Sequence, residues 1–172
     1  LLAHALGAVA ASRLSPVIVV VSDDRVAAEV PSSSRVVRND APERGISSSL
    51  RVAVRALEAA RGDEAVDGVV VGLADQPFVG PQAYRRVADA YDAGARLAVA
   101  TYGGVRGNPV LVAREHWPEA LLLTGDEGAR VLLRRHGAIE VPCDDTGEPA
   151  DVDTPEDLAL LETRWRSRTA SE

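Results

Sequence analysis

Two acidic segments, "GLADQPFV" (72–79) and "ADVDTPEDL" (150–158), hold the residues best suited to chemistry in this sequence. Asp75 ends an apolar run, "VVVGL" (69–73), that shows no polar alternation. Asp151 and Asp153 precede Thr154-Pro155 in a second loop. Carboxylates from two loops that meet at one place can hold magnesium. That hard cation takes one or two carboxylates and completes its shell with water and substrate phosphate oxygens. Each segment also has a plainer reading. Asp and Pro are turn formers, and Asp153-Thr154-Pro155 is good helix-start chemistry, since acids suit a helix N-terminus.

Three further segments are candidates. "NDAPERGISSSL" (39–50) offers an amide (Asn39), a flexible glycine (Gly45) and hydroxyls (among them Ser49) leading into a helix N-terminus, a place suited to an anion or a ribose. "RGNPV" (106–110) reads as a turn in which Pro109 enters an edge strand. "GDEGAR" (125–130) reads as a helix start capped by Asp126. Other signals are missing. The chain has no lysine, hence no P-loop, and no G-x-G-x-x-G follows a strand. His4, His116 and His136 fall in expected helices without metal-ligand spacing, and Cys143 reads as a packing residue.

The elements that must position these residues follow from periodicity and punctuation. Strands are expected at 17–21, 35–39, 68–73, 96–102, 108–112 and 139–143, the fourth and fifth flanking "GGVRG". A helix opens the chain and ends by Ser15-Pro16, and "SDDRVAAEV" suits a short one. A third, 47–60, puts Leu50, Val54 and Leu57 on one face with serines available as caps. A fourth, 81–94, starts at Pro81 and stops at Gly94. Helical sequence runs from Arg114 to about Arg135, broken at "TGDEG", and "TPEDLALLETRW" is the last helix, with Thr154 as N-cap. The last few residues are expected to fray. Strands alternating with helices predict an α/β protein with a mostly parallel sheet covered on both faces. A strand buried on both faces need not alternate. Such sheets bind ligands at the carboxyl ends of their strands, which is where Asp75 falls.

At 172 residues the chain suits one domain. A net charge of −7 argues against nucleic-acid binding and against a membrane-surface role. One cysteine excludes an intrachain disulfide and fits a reducing cytoplasm. No apolar run approaches the roughly 20 residues that span a bilayer. The chain opens at Leu1 already in a helical pattern, so further residues are expected ahead of it.

"GLADQPFV", "RGNPVLV", "GDEGAR" and "DVDTPEDL", in this order, resemble the MobA-like nucleotidyltransferases, nearest the molybdenum-cofactor cytidylyltransferase branch. "NDAPERGISSSL" matches the segment before that family's second conserved helix. The resemblance covers essentially the whole chain and implies one Rossmann-like three-layer domain over 1–172, of the nucleotide-diphospho-sugar transferase type. It implies transfer of CMP (or GMP) from CTP or GTP to a phosphorylated acceptor, most simply molybdenum-pterin phosphate, with release of pyrophosphate. By motif, Asp75 and Asp153 would be catalytic and hold Mg2+. Asn39, Gly45 and Ser49 would line the nucleotide side, and Asn108, Pro109 and Asp126 the acceptor side. A molybdoenzyme or chaperone partner is implied. The sequence departs from the family's pattern twice. The family's Gly-rich triphosphate loop, with its Arg and Lys, would lie before the opening helix, and Asn108 stands where the nearest branch usually has histidine. The alternatives are a same-fold enzyme acting on a sugar phosphate or phospholactate, and a non-catalytic cofactor-binding chaperone.

Overall fold

The computed structural model describes residues 1–60 and 65–169. Residues 170–172, and with them the expected fraying of the tail, lie outside the described residues. In chain order the elements are α1 (Leu2–Ser12), β1 (Ile18–Val21), α2 (Asp24–Ala28), β2 (Arg35–Arg38), α3 (Ile46–Ala59), β3 (Gly68–Val71), α4 (Pro81–Asp92), β4 (Leu97–Tyr102), β5 (Val105–Ala113), α5 (Trp117–Ala120), α6 (Arg130–His136), β6 (Ile139–Pro142) and α7 (Pro155–Thr169). Short 3-10 turns at Pro42–Arg44 and Arg114–His116 precede α3 and α5.

The larger sheet has the order β3-β5-β4-β6. β6 runs parallel to β4, while β5 is antiparallel to both β3 and β4, so three of its four strands share one direction. β4 and β5 are joined by the two-residue turn Gly103-Gly104, with Tyr102 opposite Val105. Apolar residues alternate between two covered faces. Leu97 and Val99 of β4 and Val110 and Val112 of β5 pack with Leu50, Val54 and Leu57 of α3, Trp117 and Leu132. Ala98, Ala100 and Leu111 face the other way, against Ala83, Tyr84 and Val87 of α4, with Ala8 and Val9 of α1 behind them. Two buried faces explain strands with no polar alternation, and each fully buried Val or Leu contributes about 1.5–3 kcal/mol. The result is a three-layer α/β sandwich.

Pro109 lies in an interior strand, not the edge strand expected for it. The β4–β5 register shifts between Val99 and Thr101, and β3 pairs only as far as Val110. Pro109 therefore sits where neither neighbour calls for its missing N–H.

β1 and β2 form a separate parallel pair. The edges of β1 and β3 border one cavity of about 770 Å3, whose lining includes Ile18, Val20, Val69, Val71, Leu6 and Leu57. β3 thus departs from the expectation of full burial. Val69 and Val71 pack on one face and Val70 on the other, yet all four of its residues stay half-buried because one edge opens to this cavity.

The helix ends explain further details. α1 stops at Ser12, with Arg13 in the left-handed region, two residues short of Ser15-Pro16. α3 is not capped by its serines: Gly45 occupies the N-cap, and the Ser47 N–H donates to the Gly125 carbonyl (3.1 Å). α7 opens as expected, on a reciprocal box in which Thr154 Oγ1 accepts from the Asp157 N–H (3.1 Å) and Asp157 accepts from the Thr154 N–H (2.9 Å). Among the described residues no helix is long and apolar enough to cross a membrane.

Candidate active site

β3 ends at Val71 and the chain turns through Asp75; β6 ends at Pro142 and leads to Asp151 and Asp153. These two loops lie against each other. Residues 146–152 run antiparallel beside 75–80, with Val79 opposite Gly147. The Gly80 N–H donates to the Thr146 carbonyl (2.8 Å), the Glu148 N–H to that of Phe78 (3.0 Å) and the Val152 N–H to that of Asp75 (2.8 Å). Glycine is required at this clamp: a Cβ on Gly80 would strike the Thr146 carbonyl oxygen, and one on Gly147 the Phe78 carbonyl oxygen. Val152 is buried, so its neighbours Asp151 and Asp153 flank an anchored residue. Backbone hydrogen bonds, with Phe78 packed against Val152, bring the two acidic segments to one edge.

The electrostatics record that meeting. Asp75 is pushed above the ordinary carboxylate range, first by partial desolvation, then by the charge of Asp151, with a smaller push from Asp153. Beside it runs a chain of amides. The Gln76 Nε2 donates to Asp151 Oδ1 (2.7 Å), and the Asn108 Nδ2 donates to Gln76 Oε1 (3.1 Å). The Tyr102 hydroxyl donates to the Asn108 carbonyl (2.9 Å), and burial pushes that phenol up to about 12. Gln76 and Asn108 are both buried. Gln76 is a site residue that the sequence does not mark. Its only signal there is a polar side chain between Asp75 and the apolar Pro77-Phe78-Val79. The donors at this edge are oxygens, and the repulsion among the carboxylates is what a hard divalent cation relieves, so the residues present suit magnesium. Among the described residues no three acidic or histidine ligand atoms converge here, so an ion would draw the rest of its shell from water and phosphate.

Asn39, Gly45 and Ser49 form a second group, and Asp126 belongs with them. Asn39 is buried at the end of β2. Its Nδ2 donates to Ser48 Oγ (2.8 Å) and Ser49 Oγ (3.0 Å), while its Oδ1 accepts from the Ala41 N–H (3.1 Å). Asn39 therefore fixes the loop that opens α3. Gly45 has φ +82°, and a Cβ there would collide with Gly125 and press on Asp126 Oδ1. Asp126 does not cap α6, whose N-cap is Ala129 without a side-chain bond. Glu127 instead takes the Thr124 N–H (3.0 Å). Pro109 stands beside Asn108 in β5, and Cys143 is buried with its thiol pushed up by desolvation, an inert packing residue.

A mixed α/β sandwich whose acidic loops meet at the carboxyl edge of its sheet, beside an amide-and-serine loop opening a helix, is a nucleotide-binding architecture of the Rossmann-like class. The chain belongs to the MobA-like NTP transferase family, whose domain matches residues 1–140. It is 32% identical over 123 residues to the purine catabolism protein PucB of Bacillus subtilis (strain 168), covering 69% of this chain and 57% of that protein's length. The crystal structure of Rv0371c from Mycobacterium tuberculosis H37Rv is 30% identical, with a TM-score of 0.76, over 94% of this chain and 82% of that one. The same protein is also known as a complex with manganese. The 4-diphosphocytidyl-2C-methyl-D-erythritol synthase of Anaerococcus prevotii, 12% identical with a TM-score of 0.69 over 96% of this chain and 85% of that one, shares the fold.

Proposed function

We propose that this chain is a magnesium-dependent cytoplasmic nucleotidyltransferase. It moves CMP (or GMP) from CTP or GTP to a phosphorylated acceptor, foremost molybdenum-pterin phosphate, releases pyrophosphate and supplies a molybdoenzyme or its chaperone. The observation that supports it best is the backbone clamp that carries Asp75 and Asp153 to one edge. There they would hold Mg2+, which when bound neutralises charge at the α-phosphate during in-line displacement. The chain's own residues position and orient. The Tyr102–Asn108–Gln76–Asp151 series fixes the amides beside the metal loops, where they would present donors to an acceptor phosphate. Asn39 would hold the α3 entrance, with Gly45 and Ser49 shaping the nucleotide side, and Pro109 and Asp126 the acceptor side, Asp126 from its place against Gly45. Such chemistry rests on positioning and charge stabilisation, and calls for no histidine or thiol.

The test is pyrophosphate release from CTP or GTP with Mg2+ and molybdenum-pterin phosphate, in a version that carries the upstream loop. Asp75→Ala is expected to cost on the order of a thousandfold in rate, about 4 kcal/mol of barrier, with circular dichroism unchanged. Retained activity in the folded variant contradicts the metal role. Turnover of a sugar phosphate or phospholactate instead keeps the class and changes the acceptor. Pterin binding without turnover by the wild type makes the protein a chaperone.

A further inference from the structure

The opposite edge of the sheet carries a second set of ligating side chains. β5 ends at Ala113, paired with Gly68 at the start of β3, and the 3-10 turn that follows delivers His116. α6 ends at His136, just before β6 begins at Ile139. Glu119, on α5, lies between them. The ligand atoms of His116, Glu119 and His136 all lie within 4.8 Å of one another, the one such group of three among the described residues. The two imidazole rings are 4.9 Å apart, centre to centre. His136 Nε2 and Glu119 Oε2 are already 2.5 Å apart.

The surroundings suit an ion. Arg135 Nη1 donates to Glu119 Oε1 (2.8 Å) and so holds the carboxylate from behind, leaving Oε2 turned to the imidazole. Glu115 lies 3.8 Å from His116 Nε2 and 3.5 Å from Arg96, and Glu127 is 3.9 Å from Arg135, so carboxylates offset the arginine charge around the group. The His116 side chain is mostly buried, at 16% exposed, while that of His136 is open at 42%, so one ligand is fixed and the site stays accessible.

We propose that His116, Glu119 and His136 bind a zinc-class divalent ion, with water as the fourth ligand. Imidazole nitrogens favour such an ion over magnesium, which prefers oxygen. In a tetrahedral site, metal–ligand bonds of about 2.0–2.2 Å set the ligand atoms about 3.3–3.5 Å apart, so closing around the ion calls only for small side-chain rotations. The ion replaces the His136–Glu119 hydrogen bond and ties the turn after β5 to the end of α6. It lies at the edge away from Asp75 and Asp153, so its role is a structural clamp.

Cobalt(II) and zinc are the probes. Residues 1–172, stripped of metal by a chelator, are titrated with Co2+ while the visible absorption of a tetrahedral ion is followed, and then with Zn2+. One equivalent of Co2+ displaced by Zn2+ is expected, with a rise in melting temperature. His116→Ala and His136→Ala should each weaken uptake at least about tenfold, while His4→Ala and Asp75→Asn leave it unchanged. His136→Asn serves should an alanine variant misfold. No tetrahedral Co2+ signal in the wild type, or full uptake by folded His116→Ala and His136→Asn, overturns the proposal.

Discussion

Asp75 and Glu119 are acids at opposite edges of one sheet, and their surroundings push them in opposite directions. Asp75 is raised, by partial desolvation and then by Asp151 and Asp153. Glu119 is lowered, first by the hydrogen bond from Arg135 and then by that from His136. At the first edge the backbone forces like charges together, through the 75–80 and 146–152 clamp and its glycines. At the second, the Arg135 and His136 side chains balance Glu119 directly. Like charges held together by a rigid backbone suit the cation proposed above for the first edge. Charge already balanced marks a place where an ion must replace the His136–Glu119 contact.

Several substitutions break or sharpen that contrast. After the loss expected for Asp75→Ala, the largest effect is expected from Gly80→Ala. Its Cβ meets the Thr146 carbonyl oxygen, so the two acidic loops must part, and transfer should fall by more than a hundredfold, roughly 3 kcal/mol of barrier. The same overpacking should cost about 1–3 kcal/mol of stability, readable by urea unfolding. Unchanged kinetics would show that the clamp is not what positions Asp75. Asn39→Ala comes next. It leaves a buried cluster short of its amide, for an expected loss of about 1–3 kcal/mol in the same unfolding experiment. A loss within error would mean that the serines do not depend on it.

The smallest effects are in the pH dependence of melting, and they have opposite signs. A carboxyl raised from 3.8 in the folded protein binds its proton more tightly there than in the unfolded chain. Asp75 therefore contributes stability at low pH that is lost as pH rises from 3.8 through its folded value. Asp75→Asn should flatten that decline and leave the melting temperature at neutral pH slightly higher. Glu119 is lowered from 4.5, so its contribution is present above 4.5 and lost as pH falls through its folded value. Glu119→Gln should slightly lower the neutral-pH melting temperature and flatten the acid limb. Melts of both variants across pH 3–8 read the pair, and shifts of the same sign would contradict the contrast.

Much of the first edge was legible in the sequence. The unalternated "VVVGL" run marks β3, the loop after it falls at the carboxyl edge of the sheet, and "DTPED" specifies the start of α7 locally. What was not legible depends on partners distant in sequence. Pro109 reads as an edge residue until the β4–β5 register shift shows where its N–H would have pointed. The α3 serines read as caps because the Gly125 carbonyl, far along the chain, is invisible locally. His116 and His136 have no ligand spacing in sequence and meet only because β5 runs against its neighbours and α6 returns to the same edge. Asp126 reads as a cap, yet it rests against Gly45.

The most direct test of the central claim is Mn2+ binding followed by electron paramagnetic resonance, in the presence and absence of CTP or GTP. It is made on a version carrying the upstream loop, in the wild type and in Asp75→Asn, Asp153→Asn and His136→Ala. A nucleotide-dependent Mn2+ site is expected, weakened at least about tenfold by either aspartate substitution and untouched by His136→Ala. Nucleotide-dependent binding that survives both aspartate substitutions, or that is lost only with His136→Ala, would contradict the assignment of the metal to the Asp75–Asp153 edge.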